Sequence, residues 1–235
     1  MKPRNKALLL SLCAVMLVAA SVFGTIAYLT DNDAVTNTFS VGAVGLNLDE
    51  AKVDEDGTPV NPAERTEEGN SYHLIPGHSY IKDPTVTLDD GSEDSYVRMM
   101  VKVENIDRLK QALPKEGTTA EYYGADGTFL VQKLCVDENG SMTWNPEVWK
   151  YNGYTESTDG KTGTKTGTYE FRYKTVVTKG TNELEPLFTH ITVPGEIDNE
   201  SLTHLEDVKI VVAAHAIQAD GFDTAAAAWS AFPVN

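Results

Sequence analysis

Two cysteines are all that 235 residues contain, and Cys13 sits in an apolar run near the N-terminus. With that run removed only Cys135 remains, so no internal disulfide can form and stability has to come from packing. Cys135 stands in the apolar "LVQKLCVDENG", which reads as a buried structural thiol rather than a reactive one. Positive charge is scarce too. Nineteen Lys and Arg face 35 Asp and Glu, for a formal net charge of −16. Such a chain repels phosphate backbones, which excludes nucleic acid as a natural partner. It also argues against simple adsorption to anionic lipid, and it makes self-association sensitive to salt and divalent cations.

Catalytic signatures are missing in the same way. There is no H-E-x-x-H, no G-x-S-x-G elbow, no phosphate-binding loop and no dinucleotide fingerprint. The five histidines are dispersed. His73 and His78 bracket "LIPG" and are the weak candidates for a metal; the alternative is a turn-lining pair with one ring packed on Tyr72 or Tyr80. His215 lies within an apolar strand and reads as a core-edge histidine. The acidic loops "DEDG", "DDGSED" and "DENG" are candidates for calcium, but none has the full twelve-residue loop with its closing glutamate. Plain solvated turns are the alternative, and no cofactor is expected.

The N-terminus carries the plainest signal. Lys2, Arg4 and Lys6 precede a run from Ala7 to Phe23 that is apolar apart from Ser11 and Ser21. Thr25-Ile26-Ala27 then supplies a small-x-small cleavage pattern, which puts the mature start at Tyr28 and marks the chain for secretion. The alternative is an uncleaved anchor from Ala7 to Leu29, the one route by which this chain would hold a membrane. Since residues 1–27 hold three bases and no acid, their removal leaves the remainder more acidic still.

Beyond residue 27 the pattern is that of strands. Val97, Met99, Val101 and Val103 alternate with Tyr96, Arg98, Met100 and Lys102, the clearest half-buried strand in the chain. Tyr169, Phe171 and Tyr173 share one face of another. "VKIVVAAHAIQA" is apolar on both faces, as a central strand is. Phe129 to Val136 and Ser141 to Trp144 read as two strands joined at "DENG". Asp49 to Asn70 is polar, acidic and broken by Pro and Gly, and reads as a mobile loop. Two short helices are expected. One starts at Ile106 with Asn105 as cap and stops at Pro114; the other follows an Asp223 cap and sets Phe222, Trp229 and Phe232 on one side. Short strands with turns about every ten residues indicate a mainly β, antiparallel β-sandwich with two short helices. The domain plan is a signal peptide over 1–27, an N-terminal strand over 28–48 and the sandwich over 49–235.

Three segments resemble a known family. They are "TIAYLTDNDAVTNTFSVGAVGLNL" behind the signal, "LIPGHSYIKDPTVTLDDGSEDSYVRMMVKV", and "VKIVVAAHAIQADGF". They are similar to the TasA/camelysin family of exported proteins processed by the SipW type of signal peptidase. The resemblance implies a jelly-roll sandwich at the surface of a Gram-positive bacterium, where such proteins build biofilm matrix fibres. It also implies that the N-terminal segment of one subunit enters the next, the partner being the chain itself or a co-exported paralogue. Val35, Phe39, Val41, Val44 and Leu46 are then the assembly residues. The alternative is an ordinary edge strand paired within its own sheet. Two other functions stay open: a camelysin-like metallopeptidase, for which no zinc motif is present, and a glycan-binding adhesin using Trp144, Trp149, Tyr151 and Tyr154.

Overall fold

The structure, a computed structural model, describes residues 30–34, 44–113, 129–180 and 183–233, the first of these stretches by its backbone alone. Thr25, Ala27, Tyr28, Val35, Phe39 and Val41 lie outside the described residues, as does the apolar run before them.

The alternation read in the sequence becomes β6 (Ser95–Glu104), in which every second residue is buried. Val97, Met99, Val101 and Val103 point inward and are all but inaccessible, as a period of two requires. β6 is the middle strand of a five-stranded antiparallel sheet. Its order is β1 (Thr30–Ala34), β10 (Lys209–Gln218), β6, β8 (Lys165–Tyr173) and β7 (Trp149–Thr158). The apolar strand expected to be central is β10, flanked on both sides. Register sets the core: Val101 stands between Val212 and Tyr169, and Met99 between Ala214 and Phe171. The small Ala214 of β10 thus stands across β6 from the large Phe171 ring of β8, a small residue matched to a large one.

Against that face lie smaller antiparallel sheets. β2 (Leu46–Ala51) runs between β3 (Arg65–Thr66) and β5 (Thr85–Leu88), while β4 (Ser79–Ile81) pairs with β9 (His190–Thr192). Leu46 stands opposite Leu88 and Leu48 opposite Val86, and their side chains join the same hydrophobic cluster as β6, β8 and β10. The expected mainly β, antiparallel architecture is what forms.

Among the described residues three α-helices, rather than the two expected, pack on the sheets: α1 (Ile106–Ala112), α2 (Asn199–Leu202) and α3 (Ala225–Ala231). The extra one is a single turn capped by Asp198, whose carboxylate accepts the Ser201 N–H at 2.8 Å. Both expected caps are corrected. Asn105 adopts the left-handed conformation at φ 56° and makes no cap bond; its amide donates instead to the Asp207 carbonyl at 2.7 Å, tying α1 to the approach to β10. Thr224, not Asp223, caps α3 by accepting the Ala227 N–H at 3.2 Å. α3 lays Ala228, Trp229 and the following Phe232 on Ile217, on the outer face of the large sheet.

Two further expectations are corrected. Phe129–Leu134 is a π-helix, not a strand. Its buried residues, Leu130, Val131 and Leu134, and Cys135 just after it, recur one and four apart, a helical spacing rather than an alternating one. The "DENG" turn does form, with the Asp137 N–H donating to the Ser141 carbonyl at 2.9 Å. The segment from Asp49 to Asn70 is pinned rather than loose. β2 runs on to Ala51, β3 pairs with its end, and Arg65 holds Asp49 at 2.7 Å and Asp83 at 2.9 Å.

Candidate functional site: one side of the last strand and the cleft beside it

β10 is paired unevenly. All ten of its residues stand opposite β6, but β1 covers only Ala213 to Ile217. Among the described residues no strand pairs with Lys209 to Val212 on that side. Beside this stretch opens a cleft of about 820 Å³. Its apolar wall includes Ile210, Val212, Leu205, Val208, Ile191 and Leu202. Among the described residues, a stretch of strand with apolar side chains and no neighbour on one side is what the fold offers here, and such an edge recruits another strand.

The cleft has one polar end, formed by β2 and the two segments packed on it. Glu50 is 5% exposed and gives one carboxylate oxygen to each of two nitrogens: Lys82 Nζ donates to Oε2 at 2.5 Å, and Asn70 Nδ2 donates to Oε1 at 2.9 Å. Asn70 Oδ1 accepts the Val53 N–H at 3.0 Å, and Nδ2 also donates to the Ala51 carbonyl at 2.8 Å. Tyr72 closes over the group and donates to the Ile81 carbonyl at 2.9 Å. Burial, and after it the charge of Glu50, push the Tyr72 phenol far above its ordinary range. No local motif announces this cluster, because its members are 12 to 32 residues apart and each reads alone as a surface polar residue.

The assembly residues that the structure describes have a definite place. Val44 and Leu46 are fully buried in this chain's own core. A segment exchanged between molecules therefore has to end before Val44 if that core is to survive. The histidines around "LIPG" serve the turn. His78 Nε2 lies 2.9 Å from the Asp56 carbonyl, and its ring meets the edge of Tyr80 at 4.6 Å, as the turn-lining alternative expects. The His73 backbone donates to the Glu55 carbonyl and accepts from the Tyr80 hydroxyl. Among the described residues no group of three or more His, Cys, Asp or Glu stands where it could hold a metal ion.

Two of the acidic loops use a carboxylate on themselves, while in "DDGSED" Glu93 and Asp94 accept from the side chain and backbone of Lys179. Asp54 Oδ1 accepts the N–H groups of Asp56 and Thr58. Asp137 Oδ1 accepts those of Asn139 and Ser141, and the Ser141 bond leads in holding its carboxyl below the usual range. The aromatic cluster is packed. Trp149 is fully buried, Trp144 and Tyr151 lean on Phe171 at 5.6 Å each, and Tyr154 lies on Tyr169 at 4.6 Å. Cys135 is buried, and burial pushes its thiol far up, so it is the structural thiol expected.

On the outer face, Arg98 of β6 holds α3 down. Its guanidinium carbon lies 4.4 Å from the Trp229 ring centre and 4.8 Å from that of Phe232. Arg98 Nε donates to His215 Nδ1 at 3.0 Å, and the imidazole stacks on Phe232 at 5.0 Å. Burial first, then the charges of Arg98 and Lys102, push His215 down to about 3. No protein-family model, curated protein or solved structure matches this chain.

Proposed function

We propose that this chain is a secreted structural protein, one that joins copies of itself, or a co-exported paralogue, into extracellular fibres by lending its N-terminal strand to β10 of a neighbour. The observation that carries the reading is the pairing of β10. A strand apolar on both faces is flanked on one side, among the described residues, by five residues from the far end of the chain, beside an apolar cleft. The bonds that β1 makes to Ala213–Ile217 in one molecule are the bonds it would make in the next, so exchange costs no pairing. Export through the apolar N-terminal run, with cleavage at Ala27 by a SipW-type signal peptidase, frees that strand at the surface of a Gram-positive cell. The resemblance to TasA/camelysin proteins supports the same reading and would make the sandwich a jelly roll. In this reading the chain is a scaffold and carries out no catalysis, a camelysin-like peptidase being the reading set aside.

The test compares a chain starting at Tyr28 with one starting at Val44, by electron microscopy and size-exclusion chromatography. The second start keeps Val44, Leu46 and Leu48 in the core. Filaments from the first and monomers from the second are expected. Filaments from both, or monomers from both, would remove strand exchange as the mode of assembly.

A further inference from the structure

We propose that the side chains of Lys82 and Asn70 become joined by an amide bond, formed by the folded chain itself with Glu50 carrying the protons. Each participant is already in place. Lys82 and Glu50 are 8% and 5% exposed. The lysine nitrogen and the carboxamide nitrogen of Asn70 sit on the two oxygens of one carboxylate, at 2.5 and 2.9 Å. One carboxylate thus holds both the nucleophile and the amide it would attack. The amide orientation is fixed, because Nδ2 faces two acceptors and Oδ1 faces one donor. That donor, the Val53 N–H, points at the oxygen on which negative charge develops when the amide carbon is attacked. Arg65 occupies the neighbouring carboxylates of Asp49 and Asp83, which leaves Glu50 to Lys82 and Asn70.

The chemistry balances. Passing the ammonium proton of Lys82 to Glu50, its partner in the ion pair, leaves a neutral amine and a carboxylic acid. The amine lone pair attacks Asn70 Cγ, giving a tetrahedral centre whose oxygen is held by Val53. Glu50 gives its proton to Nδ2 and takes one from the attacking nitrogen. The bond from Cγ to Nδ2 breaks and ammonia leaves. One C–N bond forms and one breaks, nothing is oxidised or reduced, and the proton left on Glu50 departs with the ammonia as ammonium, which returns Glu50 to the carboxylate. The product ties the segment after β3 to the segment before β5, closing the cleft's polar end covalently in a chain that has no disulfide there.

Mass spectrometry of the folded full chain decides it. Trypsin cuts after Arg65 and Lys82 in an unlinked chain. With Lys82 acylated the second cut fails, and a peptide spanning 66–98 appears, lighter by one ammonia. Chymotrypsin, cutting after Tyr72 and Tyr80, then leaves the pieces holding Asn70 and Lys82 attached to each other. That result is expected for the wild type, with the normal cut and full mass in Glu50→Gln. Should Glu50→Gln fail to fold, Asn70→Ala, which changes a half-buried residue, is expected to restore both. Separate chymotryptic fragments from the wild type overturn the proposal, even where ammonia has been lost, since a succinimide at Asn70 would leave them apart. A link that persists in folded Glu50→Gln overturns the role of Glu50.

Discussion

Trp149→Ala is expected to lower the free energy of unfolding by about 3–5 kcal/mol, read as a shift in the urea midpoint. Trp149 opens β7 and is fully buried. Its indole stands edge-on to Tyr173 at 5.1 Å, and its Nε1 donates to the Glu185 carbonyl at 2.9 Å. Alanine removes the ring, opens a void between the large sheet and the segment before β9, and deprives a carbonyl of its donor. For a domain with about 5–15 kcal/mol in hand, that is a large share of the whole. Trp149→Phe separates the two contributions. It refills most of the space but not the hydrogen bond, and its cost should fall to about 1–3 kcal/mol. A loss of less than about 1 kcal/mol in the alanine variant would mean that the ring is not part of the core.

The second large effect is one of pH. His215 is neutral in the folded protein because its proton would be buried and would face Arg98 and Lys102 of β6. Phe232 covers its ring, and Glu170 of β8 is paired with Arg98 and Arg172. The folded-state value, about 3, lies below the ordinary 6.5. Its contribution to stability is therefore complete above about pH 6.5 and is lost as pH falls toward 3, where the unfolded chain binds a proton that the folded chain refuses. Across that window the loss is about 1.4 kcal/mol per pH unit, on the order of 4 kcal/mol in all. Urea unfolding at a series of pH values should show this slope in the wild type. In His215→Gln, which keeps an acceptor for Arg98 but does not titrate, the slope should be shallower by that amount. Parallel curves would show that the imidazole is protonated in the fold after all.

Legibility from sequence followed the range of the interactions. β6 and β8 were readable because alternation is local: a residue and its neighbour two positions on decide which face is buried; β10 was readable from its unbroken apolar run. α1 and α3 were readable from periodicity, but their first residues were not. Asn105 was claimed by Asp207, about a hundred residues later, and Thr224 offered its hydroxyl where Asp223 had looked the better acceptor. Phe129–Leu134 was misread because a short apolar run carries no period of its own, and burial against β9 and the core chose the helix. Glu50, Asn70 and Lys82 were invisible as a group. Polar residues in a polar segment look solvated until the fold shows that three of them meet under Tyr72. Likewise Val44 and Leu46 read as residues of the strand lent to a neighbour, because the strand that β2 pairs with, β5, lies across a long polar insertion.

The pairing of β1 with β10 also orders events in time. A chain that emerges N-terminus first presents Thr30–Ala34 at the beginning, while Ala213–Ile217 follows almost at the end. Pairing of such high sequence separation forms late, since most of the loop between the two strands must be closed first. Throughout that interval β6, β7 and β8 have every residue they need to pair, whereas the first strand has none of its own to meet. The earliest strand made is the last one seated, and the interval before it is seated grows with the time taken to deliver the rest of the chain.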